Sequence, residues 1–266
     1  MSTRAKTVVV VTAAMLLAAS CGGSSGSGSG GSSGGSSGGT LNVFAAASLT
    51  NAFRDLEKTY EGQHPGWTVT LNLAGSDQLA AQIEQKAPAD VFAAASTKYP
   101  EQLQGEKLLG KTTNFATNTL VLVTPKSNPS GIRTAADLEK GDAKVVVADP
   151  AVPLGAYTEQ VLQNLGIDET RLDIVSKEQD AESVLAKLTS GEADAGFVYV
   201  TDALSQKAKL HEIRSPASAD ATATYPIGIV SYSKNTKAAQ QWIDLVNSPQ
   251  GQAVLERFGF GAAPTG

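Results

Sequence analysis

The sequence predicts an α/β fold in which short apolar strands alternate with amphipathic helices. Strand and helix patterns follow one another from Leu41 to Ala95, and the same alternation begins again at Ala143. Strands that are joined through helices pair in parallel, so we expect two parallel α/β units. In such sheets a ligand binds at the carboxyl ends of the strands, and a cleft between the units would lie there.

The elements of the first unit follow from the spacing of apolar residues. Leu41–Ala45 reads as a buried strand, and residues 49–60 repeat apolar side chains at helical spacing. Ser48 stands immediately before that helix and is predicted to be its N-cap. The elements expected next, in chain order, are a strand at Thr68–Leu73, a helix beginning at Ser76 or Asp77, and a strand at Val91–Ala95.

The second unit repeats this organisation. A strand at "TNTLVLVTPKSNP" leads out of the first unit, and Thr134 is placed to cap a short helix. The remaining segments, in chain order, are the strand "AKVVVADP", the helix "PLGAYTEQVLQNLG", the strand "LDIVS", the helix "DAESVLAKLTSGEAD", the strand "AGFVYVTDA", the strand "YPIGIVS" and one or two helices within 236–258.

The N-terminal segment is predicted to direct export. Arg4 and Lys6 precede an apolar run and then small residues before Cys21, which is typical of a signal peptide at 1–20. "AASC" resembles the lipobox of bacterial lipoproteins, so we expect Cys21 to carry lipid; the alternative is an ordinary signal peptide with an incidental cysteine. The glycine and serine residues that follow predict a flexible tether, giving a lipidated Cys and tether at 21–40.

Composition and motifs argue against several classes of function. The net charge is −5 and no Lys/Arg-rich run occurs, which disfavours nucleic-acid binding. Cys21 is the single cysteine, so the folded part has neither a disulfide nor a thiolate metal site. His64 and His211 lie in polar stretches, and the sequence contains no HExxH, GxSxG or Walker A motif. We therefore expect neither an enzyme nor a bound cofactor.

Small and hydroxyl residues recur where a strand runs into a helix. "AAAS" ends at Ser48, "AGS" ends at Ser76 and "VPLG" ends at Gly155. The start of a helix offers unpaired N–H groups and a positive dipole end, which together bind anions, and a serine adds an O–H donor. Each serine has a simpler alternative as a plain N-cap.

Five segments keep a characteristic order and spacing: "VFAAASLTNAF", "SDQLAAQIEQKAPADVFAAAS", "VVVADPAVPLGAYTEQVLQNLG", "AESVLAKLTSGEADAGFVYVTDA" and "YPIGIV". Together they resemble the molybdate-binding proteins of bacterial ABC importers, over nearly all of residues 40–260. The resemblance implies a two-lobe periplasmic-binding-protein fold, with each lobe a mostly parallel sheet flanked by helices and the ligand cleft between them. Lobe I would comprise 41–121 and 224–266, and lobe II 122–223.

The resemblance also implies how the ligand is held. In that family hydroxyls and backbone N–H groups from both lobes grip the oxyanion without a cationic side chain or a metal cation. The matching positions are Ser48, Ser76 and Tyr199 through their hydroxyls, and Leu154 and Val184 through their backbone N–H groups. The protein would be a monomeric receptor for molybdate or tungstate, in the periplasm or lipid-anchored through Cys21 to the outer face of the membrane, and would deliver the anion to an ABC permease.

Two alternatives remain open from the sequence. The family often has hydroxyl residues on both sides of the middle serine, whereas Asp77 follows Ser76 here. Asp77 either caps the helix or accepts a proton from a protonated oxyanion, and the second role would favour another ligand such as phosphate rather than molybdate; sulfate is a further candidate. The other alternative is a surface-anchored hydrolase with Ser48 or Ser76 as nucleophile, which requires a base within hydrogen-bond reach.

Overall fold

The computed structural model describes residues 38–214, 216 and 219–264, which form nine strands and eight α-helices. The predicted signal peptide, Cys21 and the tether up to residue 37 lie outside the described residues. The strands are β1 Gly39–Ala46, β2 Trp67–Ala74, β3 Val91–Ala93, β4 Leu109–Pro125, β5 Lys144–Ala148, β6 Asp173–Glu178, β7 Ala195–Tyr199, β8 Leu210–Ile213 and β9 Thr222–Val230. The helices are α1 Thr50–Gln63, α2 Ser76–Glu84, α3 Lys98–Gly105, α4 Pro153–Leu165, α5 Ala181–Ser190, α6 Val200–Ser205, α7 Thr236–Asn247 and α8 Pro249–Arg257.

The strands form two half-sheets that share the long strand β4. The first half-sheet contains β1, β2, β3, β9 and residues 109–119 of β4; the second contains residues 120–125 of β4 with β5, β6, β7 and β8. Strands β1, β2 and β3 pair in parallel, as do β5, β6 and β7, whereas β4, β8 and β9 pair antiparallel. The predicted alternation of strands and helices is therefore present in both halves, with antiparallel strands joining them.

The register of the first half-sheet brings several strand ends to one edge. Ala46 of β1 lies opposite Ala74 of β2, and Ala45 of β1 lies opposite Ala93 of β3. Ser48 lies two residues after Ala46, and Ser76 lies two residues after Ala74. Because parallel strands end at the same edge of a sheet, the two serines emerge side by side, at the edge where α/β proteins bind ligands.

The core of the first half is built from aromatic side chains. Phe53 packs edge-on against Trp242, with ring centroids 5.5 Å apart, and Trp242 also contacts Tyr60. All three side chains are fully buried. Because aromatic side chains bury large apolar areas, this cluster fixes α1 and α7 against the sheet and holds the start of α1 in place.

Several elements differ from the prediction. β1 begins at Gly39, inside the range predicted as tether, and β4 extends from Leu109 well before the predicted strand. The segment after Thr134 forms a 3₁₀ helix, Ala135–Lys140, with the expected cap at Thr134. Helices α3 and α6 and strand β8 were not predicted. None of the helices within the described residues is long and apolar enough to cross a membrane.

Candidate anion-binding site

A small cavity lies where the two half-sheets meet. Its volume is about 220 Å³ including the open space at its mouth. The enclosed part of this space is far below the roughly 300–1,000 Å³ of pockets for drug-sized molecules, so the cavity suits a small ion. Its lining comes from both halves of the molecule: Ala46, Ala47, Ser48, Ala74, Gly75, Ser76, Ala95, Val152, Pro153, Leu154, Asp180, Ala181 and Tyr199.

Ser76 presents a hydroxyl whose direction is fixed by the backbone. Its Oγ accepts a hydrogen bond of 3.1 Å from the backbone N–H of Ala95, and the residue is 1% exposed. An N–H group can only donate, so the Ser76 oxygen is the acceptor in this bond. The hydroxyl proton of Ser76 is left to donate to a ligand in the cavity.

Ser48 makes a side-chain contact of a different kind. Its Oγ lies 2.9 Å from the hydroxyl oxygen of Tyr225, which is 177 residues away in the chain. Tyr225 is fully buried, and its hydroxyl also receives the side-chain N–H of Asn118 at 3.4 Å. Ser48 is therefore attached to a buried polar network behind the cavity wall.

Tyr199 brings a third hydroxyl, from the end of β7. The residue is 1% exposed, and among the described residues its hydroxyl has no hydrogen-bond partner. Burial raises the pKa of Tyr199 well above its ordinary value, so the phenol keeps its proton at neutral pH. A buried hydroxyl without a partner costs free energy, and a ligand in the cavity that accepts its proton would remove that cost.

The start of α4 supplies backbone donors from the second half. Pro153 occupies the first helical position and has no N–H, so Leu154 carries the first free amide of the helix. The helical hydrogen bonds begin at the N–H of Ala156, which donates to Val152. A Cβ on Gly155 would lie 2.1 Å from the carbonyl oxygen of Asp149, so glycine allows the helix start to pack closely on the preceding loop.

The start of α5 reaches the cavity through Asp180 and Ala181. Asp180 is the N-cap, and its carboxylate accepts the N–H of Ser183 at 2.7 Å. Val184, whose N–H was predicted to contact the ligand, is fully buried and does not line the cavity. Its N–H donates to the carbonyl oxygen of Asp180 at 3.3 Å, within the helix. The amide of Ala181, at the first helical position, is the better placed donor.

The electrostatic character of the cavity comes from neutral donors and helix starts. No Lys, Arg or His is among its lining residues, and Asp180 is the one charged side chain there. Within the described residues, no group of three or more His, Cys, Asp or Glu side chains could hold a metal cation. The arrangement offers O–H and N–H protons and suits a ligand that only accepts hydrogen bonds.

Contacts across the cavity mouth join the two halves directly. The hydroxyl of Tyr99 in α3 donates to the backbone carbonyl of Ala151, before α4. The side-chain amides of Gln78 and Gln179 form a hydrogen bond of 2.9 Å. A Cβ on Gly75 would lie 2.6 Å from the carbonyl oxygen of Gln179. The halves therefore approach so closely at Gly75 that no side chain fits between them.

Comparison with known proteins places this geometry in a family. The family model described as bacterial extracellular solute-binding protein matches residues 41–261. This chain belongs to that family. It is 40% identical over 219 residues to the molybdate-binding protein ModA of Mycobacterium tuberculosis, covering 82% of this chain and 83% of the relative. It is 32% identical to a putative ABC transporter substrate-binding lipoprotein, YvgL, of Bacillus subtilis, covering 84% and 86%.

A solved structure supports the fold. The periplasmic molybdate-binding protein of Azotobacter vinelandii superposes with a TM-score of 0.74 at 23% identity, covering 85% of this chain and all of that one. This likeness confirms the predicted two-lobe fold. The family is one of solute-binding proteins, which agrees with the expectation that the chain is not an enzyme.

The hydrolase alternative finds no support in this solute-binding protein. The ring of His64 packs on Tyr60, with centroids 4.3 Å apart, and His211 is exposed on β8. Neither histidine lines the cavity, so neither Ser48 nor Ser76 has a histidine base at hand.

The predicted N-cap at Ser48 is wrong, and so is the capping role, one of the two left open for Asp77. Ser48 lies within a 3₁₀ turn, Ala47–Leu49, and makes no capping bond, because its Oγ is engaged with Tyr225. Asp77 lies inside the first turn of α2 rather than at its N-cap, Gly75. Its Oδ1 is buried and has no partner among the described residues.

Of the five residues predicted to hold the ligand, the structure brings four to the cavity: Ser48, Ser76, Leu154 and Tyr199. Sequence reasoning missed Ala181, which is the first residue of the helix that contains the predicted Val184. It also missed Tyr225 and Asn118, which lie behind the wall. Their only signal in the sequence is a polar side chain within an apolar strand, and that pattern does not reveal a partner far along the chain.

Proposed function

We propose that this protein is an extracytoplasmic receptor that captures molybdate or tungstate and delivers it to the permease of an ABC importer. The ligand named for its ModA relative supports the proposal. The observation that carries it is the cavity itself, which is small, lined by the hydroxyls of Ser48, Ser76 and Tyr199 and by helix starts, and free of cationic side chains.

The chemistry of the anion fits such a cavity. Molybdate at neutral pH is a tetrahedral dianion without protons, so all four of its oxygens accept hydrogen bonds. Hydroxyls and N–H groups supply donors from several directions, and the helix starts add positive potential. A charge-assisted hydrogen bond is roughly twice as strong as a neutral one, so several neutral donors can replace a buried cation.

A rigid set of donors also selects by size. Sulfate is smaller than molybdate and cannot reach every donor of a cavity shaped for the larger ion. Each buried donor left unpaired costs about 1–3 kcal/mol. Tungstate is close to molybdate in size and charge, and the same donors accommodate both.

Binding is coupled to closure of two lobes, which we assign to 41–121 with 224–266 and to 122–223. The division is supported by the change of half-sheet between residues 119 and 120 of β4. A ligand that touches both lobes binds the closed form more tightly and therefore shifts the equilibrium towards it. The closed form is the one that docks on the permease.

We further propose that the receptor is a monomer held at the outer face of the membrane by lipid on Cys21. The sequence before the folded part and the lipoprotein name of the Bacillus relative support the lipid anchor. Expression of the full chain in a bacterial host, followed by membrane fractionation and mass spectrometry, tests it. A Cys21→Ser variant should leave the membrane fraction, and the proposed anchor is wrong if it does not.

Calorimetric titration of the purified folded part with molybdate, tungstate, sulfate and phosphate tests the proposed ligand. We expect micromolar or tighter binding of the first two and much weaker binding of sulfate. Thermal unfolding gives an independent reading, since a ligand at 100 times its Kd stabilises by about 2.7 kcal/mol. Tight binding of phosphate with none of molybdate would refute the proposal.

The same titration on an Asp77→Ser variant tests the competing ligand class. An unpartnered carboxylate oxygen beside the cavity is the observation that favours a protonated anion such as hydrogen phosphate. If Asp77 accepts such a proton, the variant loses phosphate binding. We expect instead that the order of affinities stays the same, because molybdate has no proton to give.

A further inference from the structure

We propose that Tyr225 is a positioning residue that fixes the hydroxyl of Ser48 as a donor towards the bound anion. A one-way chain of hydrogen bonds would run from Asn118 to Tyr225, from Tyr225 to Ser48, and from Ser48 to the ligand. The inference rests on the proposed function, since it assigns the direction of one donor in the same cavity. Neither Tyr225 nor Asn118 lines that cavity.

The order of donors and acceptors is set first at the side-chain amide of Asn118, a residue that is 3% exposed. Its Oδ1 accepts the backbone N–H of Thr119 at 3.0 Å. Only the amide oxygen can accept from an N–H group, so the orientation of the amide is settled. Its Nδ2 then faces Thr201 Oγ1 at 2.9 Å and the hydroxyl of Tyr225 at 3.4 Å, and donates to both.

The hydroxyl of Tyr225 forms the next hydrogen bond of the proposed chain. Burial raises the pKa of Tyr225 far above its ordinary value, so the phenol keeps its single proton. Its oxygen already accepts from Asn118, and its other hydrogen-bond partner is Ser48 Oγ at 2.9 Å. Among the described residues, Ser48 Oγ is the one acceptor within hydrogen-bond distance of the Tyr225 hydroxyl, so in the proposed chain the proton of Tyr225 goes to Ser48.

The ring of Tyr225 is held so that this contact persists. It packs edge-on against Phe260 at 5.3 Å and against Phe115 and Tyr199 at 6.2 Å, measured between centroids. Because the ring is clamped on three sides, removal of the hydroxyl alone should leave its position unchanged.

The direction of the bond between Tyr225 and Ser48 decides whether Ser48 presents a proton or lone pairs to the ligand. With Tyr225 donating, the only proton of Ser48 is free to point into the cavity at an oxygen of the dianion. With the bond reversed, Ser48 would give its proton to Tyr225 and present lone pairs to a negative ligand. The chain of donors therefore turns a hydroxyl that can act either way into one that favours an anion without protons.

A double-mutant cycle tests this role, with molybdate titrated by calorimetry. Tyr225→Phe should weaken binding about tenfold or more in the wild-type background, because Ser48 loses its fixed direction. In a Ser48→Ala background the same change should have almost no further effect on affinity. The proposal is overturned if Tyr225→Phe binds like the wild type, or if it weakens the Ser48→Ala protein by the same factor.

Tyr60→Phe is the matched control. Tyr60 is also fully buried, and its hydroxyl donates to the backbone carbonyl of Ala238 at 3.1 Å, away from the cavity. We expect this variant to lose stability but keep its affinity. If Tyr225→Phe does not fold, Asn118→Ala with and without Ser48→Ala provides the cycle, and equal effects in both backgrounds would overturn the proposal. A wild-type protein that does not bind molybdate would instead refute the proposed function.

Discussion

The two serine junctions of the first half-sheet look alike in sequence but are oriented by different means. Ser76 accepts a backbone N–H from Ala95, whereas Ser48 contacts the side chain of Tyr225. A backbone amide comes with the fold and cannot be removed by substitution, whereas a side-chain partner can. One donor of the cavity is therefore fixed by sheet geometry, and the other by a side-chain contact that a substitution can remove.

The largest expected effect lies at the Ser76 junction, where Gly75 faces the opposite lobe. In a Gly75→Ala variant the new Cβ would lie 2.6 Å from the carbonyl of Gln179 and 2.5 Å from Oδ1 of Asp77. The lobes must then separate, so we expect molybdate affinity to fall by about a hundredfold or more, because each 1.4 kcal/mol of lost closure is tenfold. Calorimetric titration measures the loss.

Gly62→Ala is the control for that substitution. Gly62 lies on the exposed face of α1, and a Cβ there would meet nothing within 4 Å. Alanine in a helix is about 1 kcal/mol more favourable than glycine, so this variant should be slightly more stable with unchanged affinity. Wild-type affinity in Gly75→Ala would show that close approach at Gly75 is not needed for binding.

Removal of each serine hydroxyl tests the contrast between the two junctions. Ser48→Ala and Ser76→Ala should each weaken molybdate binding by about ten- to a hundredfold, the value of a hydrogen bond to a charged group. The two should differ in stability, because Ser76→Ala leaves the buried N–H of Ala95 without its acceptor and costs about 1–3 kcal/mol. Ser48→Ala leaves the hydroxyl proton of Tyr225 without its acceptor, but Tyr225 keeps the bond from Asn118, so Ser48→Ala should cost less.

Urea unfolding of both variants without ligand separates the two effects. The contrast between the junctions fails if the serine variants lose equal stability, or if Ser48→Ala loses more. Equal loss of affinity with unequal loss of stability is the expected pattern.

Much of this site could be predicted from local sequence. The rest depends on contacts between residues far apart in the chain, which local sequence does not reveal. A hydroxyl two residues after a buried strand is visible in the sequence, so Ser48 and Ser76 were found. The contact between Ser48 and Tyr225 spans 177 residues and depends on how β9 pairs with its neighbours, which no local pattern reveals. The resemblance pointed to Val184 and not to Ala181, because a motif identifies the helix but not which of its amides is left unpaired.

Helix α3 and the early part of β4 could not be predicted from local sequence either. Helix α3 contains Pro100, which a pattern search treats as a helix breaker, yet it lies in the first turn, where proline is tolerated. The early part of β4 is rich in Thr and Asn and lacks a strong apolar alternation. Its place in the sheet comes from antiparallel pairing with β9, so tertiary contacts decide it.

Asp202, in α6, is a half-buried residue, and one oxygen of its carboxylate is fully buried without a hydrogen-bond partner among the described residues. Burial raises the pKa of Asp202 from about 3.8 to about 7, while the backbone hydrogen bond from Tyr199 acts in the opposite direction. Between these pH values the folded protein holds a proton that the unfolded chain releases, so the free energy of unfolding falls as pH rises from about 4 to 7. Asp202→Asn should remove this fall and raise the free energy of unfolding at pH 8 by up to about 4 kcal/mol.

Urea unfolding at several pH values measures the effect of Asp202→Asn, with Asp244→Asn on the exposed face of α7 as the control. The control should leave the pH dependence unchanged. An Asp202→Asn protein whose stability still declines over the same pH range would place the titrating group elsewhere.

The smallest expected effect concerns the contact between lobes made by Tyr99, whose hydroxyl donates to the carbonyl of Ala151. A neutral hydrogen bond contributes about 0.5–1.5 kcal/mol, and this one forms only when the lobes meet, so Tyr99→Phe should weaken molybdate binding about two- to tenfold. Tyr232→Phe is the matched control, because that hydroxyl bonds to Ala87 at 2.7 Å within one lobe. The control should lose stability and keep its affinity, since its bond exists in open and closed forms alike. Should Tyr99→Phe behave in the same way, the Tyr99 contact would not contribute to closure, and the affinity would come from the cavity donors alone.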